Sequence, residues 1–141
     1  MILGTKARYA VMAMVEMAGR ETDSPVRLAD LAKSQEITTP YLEQIFRKLK
    51  LSGLVLSARG PGGGYVLSRT AENIYISEIV EAVDESLKMT RCDIHKTSGC
   101  MTNKSRCLTH DLWEGLGKQI HDYLAAISLS DVRSKKKKII T

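Results

Sequence analysis

The chain has 141 residues, of which 43% are hydrophobic, and a formal net charge of +5. This length suits a single domain with its own core, and no stretch is long and apolar enough to cross a membrane. The positive charge favours a polyanionic partner, of which nucleic acid is the commonest. The odd number of cysteines, three, argues against a secreted disulfide scaffold and predicts a cytoplasmic protein.

The first third of the chain has the apolar periodicity of three short helices. They are predicted to begin near Thr5, after Pro25 and at Thr39, where Thr39 is the N-cap and Pro40 the first helical residue. Gly53 ends the third helix. The buried stripe predicted for the third helix consists of Leu42, Ile45, Phe46 and Leu49.

Two short strands are predicted over 54–57 and 65–67, joined by the glycine-rich turn RGPGGG at 59–64, whose backbone has unusual freedom. Another helix follows around 76–83. An apolar seam then marks a final helix and consists of Leu112, Leu116, Ile120, Tyr123, Leu124 and Ile127. The order predicts a mainly α fold: a winged helix-turn-helix with a small β-hairpin wing and a long C-terminal dimerisation helix.

The third helix is predicted to enter the major groove of DNA with its N-terminal residues. On its polar face, Tyr41 and Gln44 suit base edges, and Arg47 suits phosphate. Glu43 repels phosphate unless it accepts from a cytosine amino group, so we expect it to penalise other sequences; a solvated residue is the alternative. At the wing tip, Arg59 can enter a narrow minor groove, with an ordinary flexible hairpin as the alternative.

All three cysteines lie in a region with little periodicity: Cys92, Cys100 and Cys107, followed by His110. Three thiolates and an imidazole can complete the coordination of one metal ion or one small iron–sulfur cluster. A zinc knuckle needs two closely spaced pairs of ligands. Here only Cys107 and His110 form such a pair, so the spacing of the four residues is too loose for a knuckle. An iron–sulfur cluster is favoured over zinc, a thiol redox switch or inert cysteines, and His95 is a rival ligand.

Six segments carry a joint pattern: KARYAV at 6–11, YLEQ at 41–44, RGPGGGY at 59–65, AVDES at 82–86, TRC at 90–92 and CLTHDLW at 107–113. Together they resemble the IscR-type regulators of bacterial iron–sulfur assembly, over roughly residues 1–132. The resemblance implies a homodimeric repressor and activator, not an enzyme. It also implies an operator of double-stranded DNA, one 2Fe–2S cluster per subunit, and the iron–sulfur assembly machinery as cluster donor.

The residues implied by this resemblance fall in two groups. The cluster ligands are Cys92, Cys100, Cys107 and His110. The DNA-reading residues are Thr38, Pro40, Tyr41, Glu43, Gln44 and Arg59. Two features depart from the family: the intervals between the cysteines are longer than expected, and Thr38 and Pro40 stand where serines are expected. Because Thr38 and Pro40 are among the DNA-reading residues, we expect the operator preference to differ from that of the family.

The chain is accordingly predicted to have four parts. A winged helix-turn-helix domain occupies 1–85, a cluster-binding loop 86–106, a dimerisation helix 107–130 and a basic tail 131–141. The lysine run at 135–138 in this tail is most simply solvated, with a phosphate-contacting arm as the alternative. The alternative function is that of a winged-helix regulator with a structural zinc or a thiol redox switch instead of a cluster. An electron carrier would leave the winged helix unexplained.

Overall fold

The computed structural model describes residues 4–20, 24–83 and 108–134. The helices are α1 (Thr5–Gly19), α2 (Leu28–Gln35), α3 (Thr39–Leu51), α4 (Ile76–Ala82), α5 (His110–Ala125) and α6 (Leu129–Ser134). A short 3-10 turn covers Ala71–Asn73, and the strands are β1 (Val55–Ala58) and β2 (Gly64–Leu67). The predicted mainly α fold with a β-hairpin wing is confirmed.

Helix α1 forms the centre of the core because its buried face is built from small residues. Ala7, Ala10 and Ala13 are buried at helical spacing together with Met14 and Met17. Small side chains allow neighbouring helices to approach closely. Helices α2, α3, α4 and α6 all contact α1.

Helices α2 and α3 form the helix-turn-helix. The turn passes through Glu36, a non-glycine residue with a positive φ of 56°, and the N–H of Ile37 returns to the carbonyl of Ala32 at 3.0 Å. Helix α3 begins one residue earlier than predicted, with Thr38 as N-cap and Pro40 in its first turn. Its buried stripe is the predicted one and consists of Leu42, Ile45, Phe46 and Leu49.

The wing is an antiparallel hairpin in which Val55 pairs with Leu67 and Ala58 with Gly64. Each strand lies within a residue or so of the predicted range. The start of β2, beside the turn, is also joined to the segment before α2. Val26 and Tyr65 exchange two backbone N–H···O bonds, both of 2.8 Å. The wing is therefore fixed to the helix-turn-helix by backbone hydrogen bonds.

The single helix predicted over 107–130 is two helices in the structure, so its predicted length is wrong. Helix α5 ends at Ala125. Helix α6 starts with a reciprocal cap: the N–H of Ser128 donates to the Asp131 carboxylate at 3.0 Å, and the N–H of Asp131 donates to Ser128 Oγ at 3.1 Å. Leu129 is fully buried. The start of the predicted basic tail, 131–134, therefore belongs to the folded body. None of the described helices is long and apolar enough to span a bilayer.

Candidate nucleic-acid interface and metal centre

The polar side of α3 faces solvent. Tyr41 is half-buried, and the exposed residues of the predicted interface on this helix and its N-cap are Thr38, Pro40, Glu43, Gln44 and Arg47. The ring of Tyr41 meets that of Tyr9 edge to face, with centroids 5.9 Å apart. This contact, which sequence reasoning missed, holds Tyr41 against α1. The structure thus presents all the predicted residues of α3 on one accessible side.

A groove of about 510 Å³ separates α3 from the wing. Its charged residues are Glu43 and three cations, Arg27, Arg47 and Lys50. The wall on the wing side is set by Tyr65, whose ring packs on Phe46 with centroids 5.1 Å apart. The excess of positive charge makes the groove attractive to phosphate. Arg27 was not identified from the sequence, since no local pattern connects it with the wing.

Three glycines of the wing are required by the structure, Gly60 by its backbone conformation and Gly63 and Gly64 by close packing. Gly60 has a positive φ of 109°, which favours glycine. A Cβ on Gly63 would lie 2.6 Å from the carbonyl oxygen of Ala58, and a Cβ on Gly64 would collide with the backbone of Val26. Arg59 is exposed at the tip. The turn that carries it is therefore compact and specific.

The tip is also held by a side chain. The guanidinium of Arg27 donates a hydrogen bond of 2.6 Å to the carbonyl oxygen of Pro61. Arg27 is the N-cap of α2, so this bond connects the start of the helix-turn-helix to the turn of the wing.

His110 is the first residue of α5, and its side chain is only 6% exposed. Its Nε2 lies 3.3 Å from a carboxylate oxygen of Glu114, a neighbour that its i,i+4 spacing could have revealed. Ligand atoms of His110, the exposed Asp111 and Glu114 lie within 4.8 Å of one another. The predicted ligands Cys92, Cys100 and Cys107 and the rival His95 lie outside the described residues.

A buried imidazole that follows a cysteine by three positions fits a metal or iron–sulfur group. Two carboxylates, those of Asp111 and Glu114, lie close to it, and carboxylates commonly orient metal-binding histidines. His121, further along α5, is exposed and has its Nδ1 3.3 Å from a carboxylate oxygen of Glu81. His121 therefore connects α5 with α4 and lies apart from the first turn of α5.

The apolar seam of α5 is largely accessible in a single chain. Leu112 is 61% exposed, Leu116 36% and Tyr123 47%. Trp113, Ile120 and Leu124 are half-buried. Only the last residue of the predicted seam, Ile127, is buried, and it lies in the link to α6.

A helix-turn-helix whose second helix has an accessible polar side, next to a wing with an arginine at its tip, defines a DNA-binding transcriptional regulator. The family model of Rrf2, described as iron-dependent transcriptional regulator, matches residues 3–135. The chain belongs to this family of regulators, which are not enzymes.

Relatives of the chain agree with this assignment. The HTH-type transcriptional regulator IscR of Xenorhabdus nematophila is 47% identical over 132 residues, which cover 94% of this chain and 79% of that protein. The structure of T. potens IscR has a TM-score of 0.75 at 30% identity and covers 97% of this chain and 90% of its own. CymR, the global cysteine regulator of B. subtilis, has a TM-score of 0.76 at 26% identity, with 96% and 98% covered. The resemblance to IscR-type regulators is confirmed.

Proposed function

We propose that this protein is a cytoplasmic, homodimeric regulator that senses iron–sulfur status and controls iron–sulfur assembly genes. One 2Fe–2S cluster per subunit, delivered by the assembly machinery, would be held by Cys92, Cys100, Cys107 and His110. The observation that carries the proposal is the buried imidazole of His110 at the start of α5, three positions after Cys107. When bound, the cluster supplies redox chemistry and a link between separate ligands.

Operator DNA would be read by α3 and the wing together. Gln44 and Tyr41 would contact base edges in the major groove, with Thr38 and Pro40 at the helix start beside them, and Arg47 would contact phosphate. Glu43 would penalise sequences that offer no amino group to its carboxylate. Arg59 would enter the adjacent minor groove. The accessible polar side of α3 and the exposed wing tip support this division of roles.

The homodimer would form along α5. Its exposed leucines and Tyr123 form an apolar surface, and pairing with a second copy would remove that surface from water. Two-fold symmetry would place two recognition helices on a pseudo-palindromic operator.

Ligation would reach the DNA-binding surface through α4. Helix α5 begins at His110 and packs on α4. At this contact, Nδ1 of His121 in α5 lies 3.3 Å from a carboxylate oxygen of Glu81 in α4. Helix α4 in turn contacts α3. A ligated His110 would restrict how α5 sits on α4. Such a restriction changes the populations of conformers that fit an operator.

The test is an absorption spectrum with iron and sulfide quantified on protein purified without oxygen. Single alanine variants of the four ligands are expected to lose or alter the visible bands. His121→Ala and His95→Ala are the controls and should keep them, since the proposal assigns neither histidine to the cluster. Colourless wild-type protein that resists reconstitution, or that carries zinc, would contradict the cluster and leave DNA binding with another trigger.

A further inference from the structure

The tip of the wing is connected to the body by Arg27. Its Nη2 donates to the carbonyl oxygen of Pro61 at 2.6 Å across 34 positions of sequence. The backbone next to it is itself fixed, because Val26 and Tyr65 exchange two N–H···O bonds of 2.8 Å. The backbone from which the Arg27 side chain extends is therefore fixed beside the turn in which Arg59 lies.

Two further contacts of the wing lie at the start of β2, beside the turn, and within the turn itself. Tyr65, the second residue of β2, packs on Phe46, and the N–H of Gly63 donates to the carbonyl of Gly60 at 2.9 Å inside the turn. Among the residues that the structure describes, Arg27 is the one whose side chain donates a hydrogen bond from the start of the helix-turn-helix to the turn, two residues from Arg59. Hydrogen bonds from a charged donor are stronger than neutral ones.

We propose that Arg27 is a positioning residue for DNA recognition: it orders the turn so that Arg59 is already placed when DNA arrives. This rests on the proposed minor-groove contact of Arg59. Ordering a loop during binding costs free energy, and a loop ordered beforehand avoids much of that cost. Because Arg27 is exposed, replacing it removes the hydrogen bond without opening a cavity in the core.

The test is a double-mutant cycle between Arg27→Gln and Arg59→Ala. The probe is a DNA duplex that the wild-type protein enriches from a randomised library, and affinity is measured at several salt concentrations. Arg27→Gln is expected to weaken binding roughly tenfold when Arg59 is present and much less when Arg59 is already alanine. Lys118→Gln removes the same charge from an exposed position of α5, and it should bind the duplex with the affinity of the wild type.

A different role of Arg27 gives a different result. A direct phosphate contact, which its place in the basic groove would allow, predicts equal losses in both backgrounds and a shallower salt dependence. Either that result or an unchanged affinity of Arg27→Gln would overturn the proposal. If Arg59→Ala alone leaves affinity unchanged, the proposed Arg59 contact fails and the positioning role fails with it.

Amide hydrogen exchange gives a readout without DNA. Arg27→Gln is expected to speed exchange at Gly63, whose N–H closes the turn, while Tyr65, whose N–H donates to the backbone carbonyl of Val26, stays protected. Unchanged exchange at Gly63 would show that Arg27 does not order the turn, whatever the state of the proposed Arg59 contact.

Discussion

Nε2 of His110 lies 3.3 Å from a carboxylate oxygen of Glu114, one turn further along α5. The imidazole is 6% exposed, whereas the carboxylate is 47% exposed. A carboxylate within reach of a ring nitrogen can accept its N–H, and such a bond sets the tautomer and the orientation of an imidazole. Helix α5 therefore provides the proposed ligand and its orienting group on one face.

Replacing Glu114 by alanine is expected to weaken the hold on the proposed cluster by roughly tenfold, because such orienting groups strengthen metal ligands. The measurement is the rate at which the visible absorption of reconstituted protein decays in excess iron chelator. Glu114→Gln keeps an acceptor oxygen, so its decay rate should fall between those of the wild type and Glu114→Ala. Glu72→Ala removes an exposed carboxylate elsewhere and should decay like the wild type. Equal rates for wild type and Glu114→Ala would contradict an orienting role.

Two neighbouring glycines of the wing are expected to respond differently to alanine. Gly64→Ala would drive a Cβ into the backbone of Val26, whereas a Cβ on Gly62 meets nothing within 4 Å. Gly64→Ala should lower the free energy of unfolding by about 2 kcal/mol, as overpacking does, while Gly62→Ala should be close to neutral. Urea unfolding of both variants checks this. Equal stabilities would mean that the segment at Val26 can move away at little cost.

Much of the fold follows from local pattern. The stripe Leu42, Ile45, Phe46 and Leu49 is buried as its helical spacing predicts. The break after Ala125 was missed because the apolar seam continues to Ile127 without interruption. The signal was present: Ser128 and Asp131 have the spacing of a capping box. A seam alone does not distinguish one helix from two.

Part of the candidate DNA-binding site could also be predicted from local pattern, and part could not. The exposure of Glu43, Gln44 and Arg47 follows from the phase of α3, which the buried stripe fixes. The bond between Arg27 and Pro61 joins residues 34 positions apart, and no periodicity within one segment can reveal it. Contacts of this kind depend on how elements pack, so they become visible only in the structure.

The carboxyl of Glu78, in the first turn of α4, is expected to stabilise the fold at neutral pH and to lose this effect in acid. Burial raises the pKa of Glu78. Two donors to its carboxylate lower that pKa: the backbone N–H of Tyr75 at 3.0 Å and the guanidinium of Arg69 at 2.9 Å. The net pKa lies below its ordinary value. A carboxyl with a depressed pKa stabilises the fold above its ordinary pKa, and this contribution is lost as the pH falls through the folded value.

Glu78→Gln should therefore lower the free energy of unfolding at neutral pH by no more than about 1 kcal/mol, since the ion pair is partly exposed and screened. The difference from wild type should shrink as the pH falls below about 4, near the ordinary pKa of a glutamate. Urea unfolding across this pH range is the measurement, with Glu72→Gln as the control. A difference that stays constant with pH would contradict this account of Glu78.

The seam of α5 is expected to hold the proposed dimer together. Leu112 is 61% exposed in the single chain, and an aspartate in its place would bury a charge against the apolar face of the second copy, which is costly when the charge has no partner. Leu112→Asp should therefore sediment as a monomer at concentrations where the wild type is dimeric. Binding to a two-half-site duplex should weaken at least tenfold, because both recognition helices would no longer bind as one unit.

The matched control is Lys118→Glu, which changes charge on the same helix away from the leucine seam and breaks only an exposed pair with Asp122. It should remain dimeric. Circular dichroism must show that Leu112→Asp keeps its helical content, which is expected because Leu112 is exposed in the monomer. A dimeric Leu112→Asp, or a monomeric wild type that still binds both half-sites with high affinity, would exclude α5 as the interface. The apolar surface formed by Leu112, Leu116 and Tyr123 would then need a different partner.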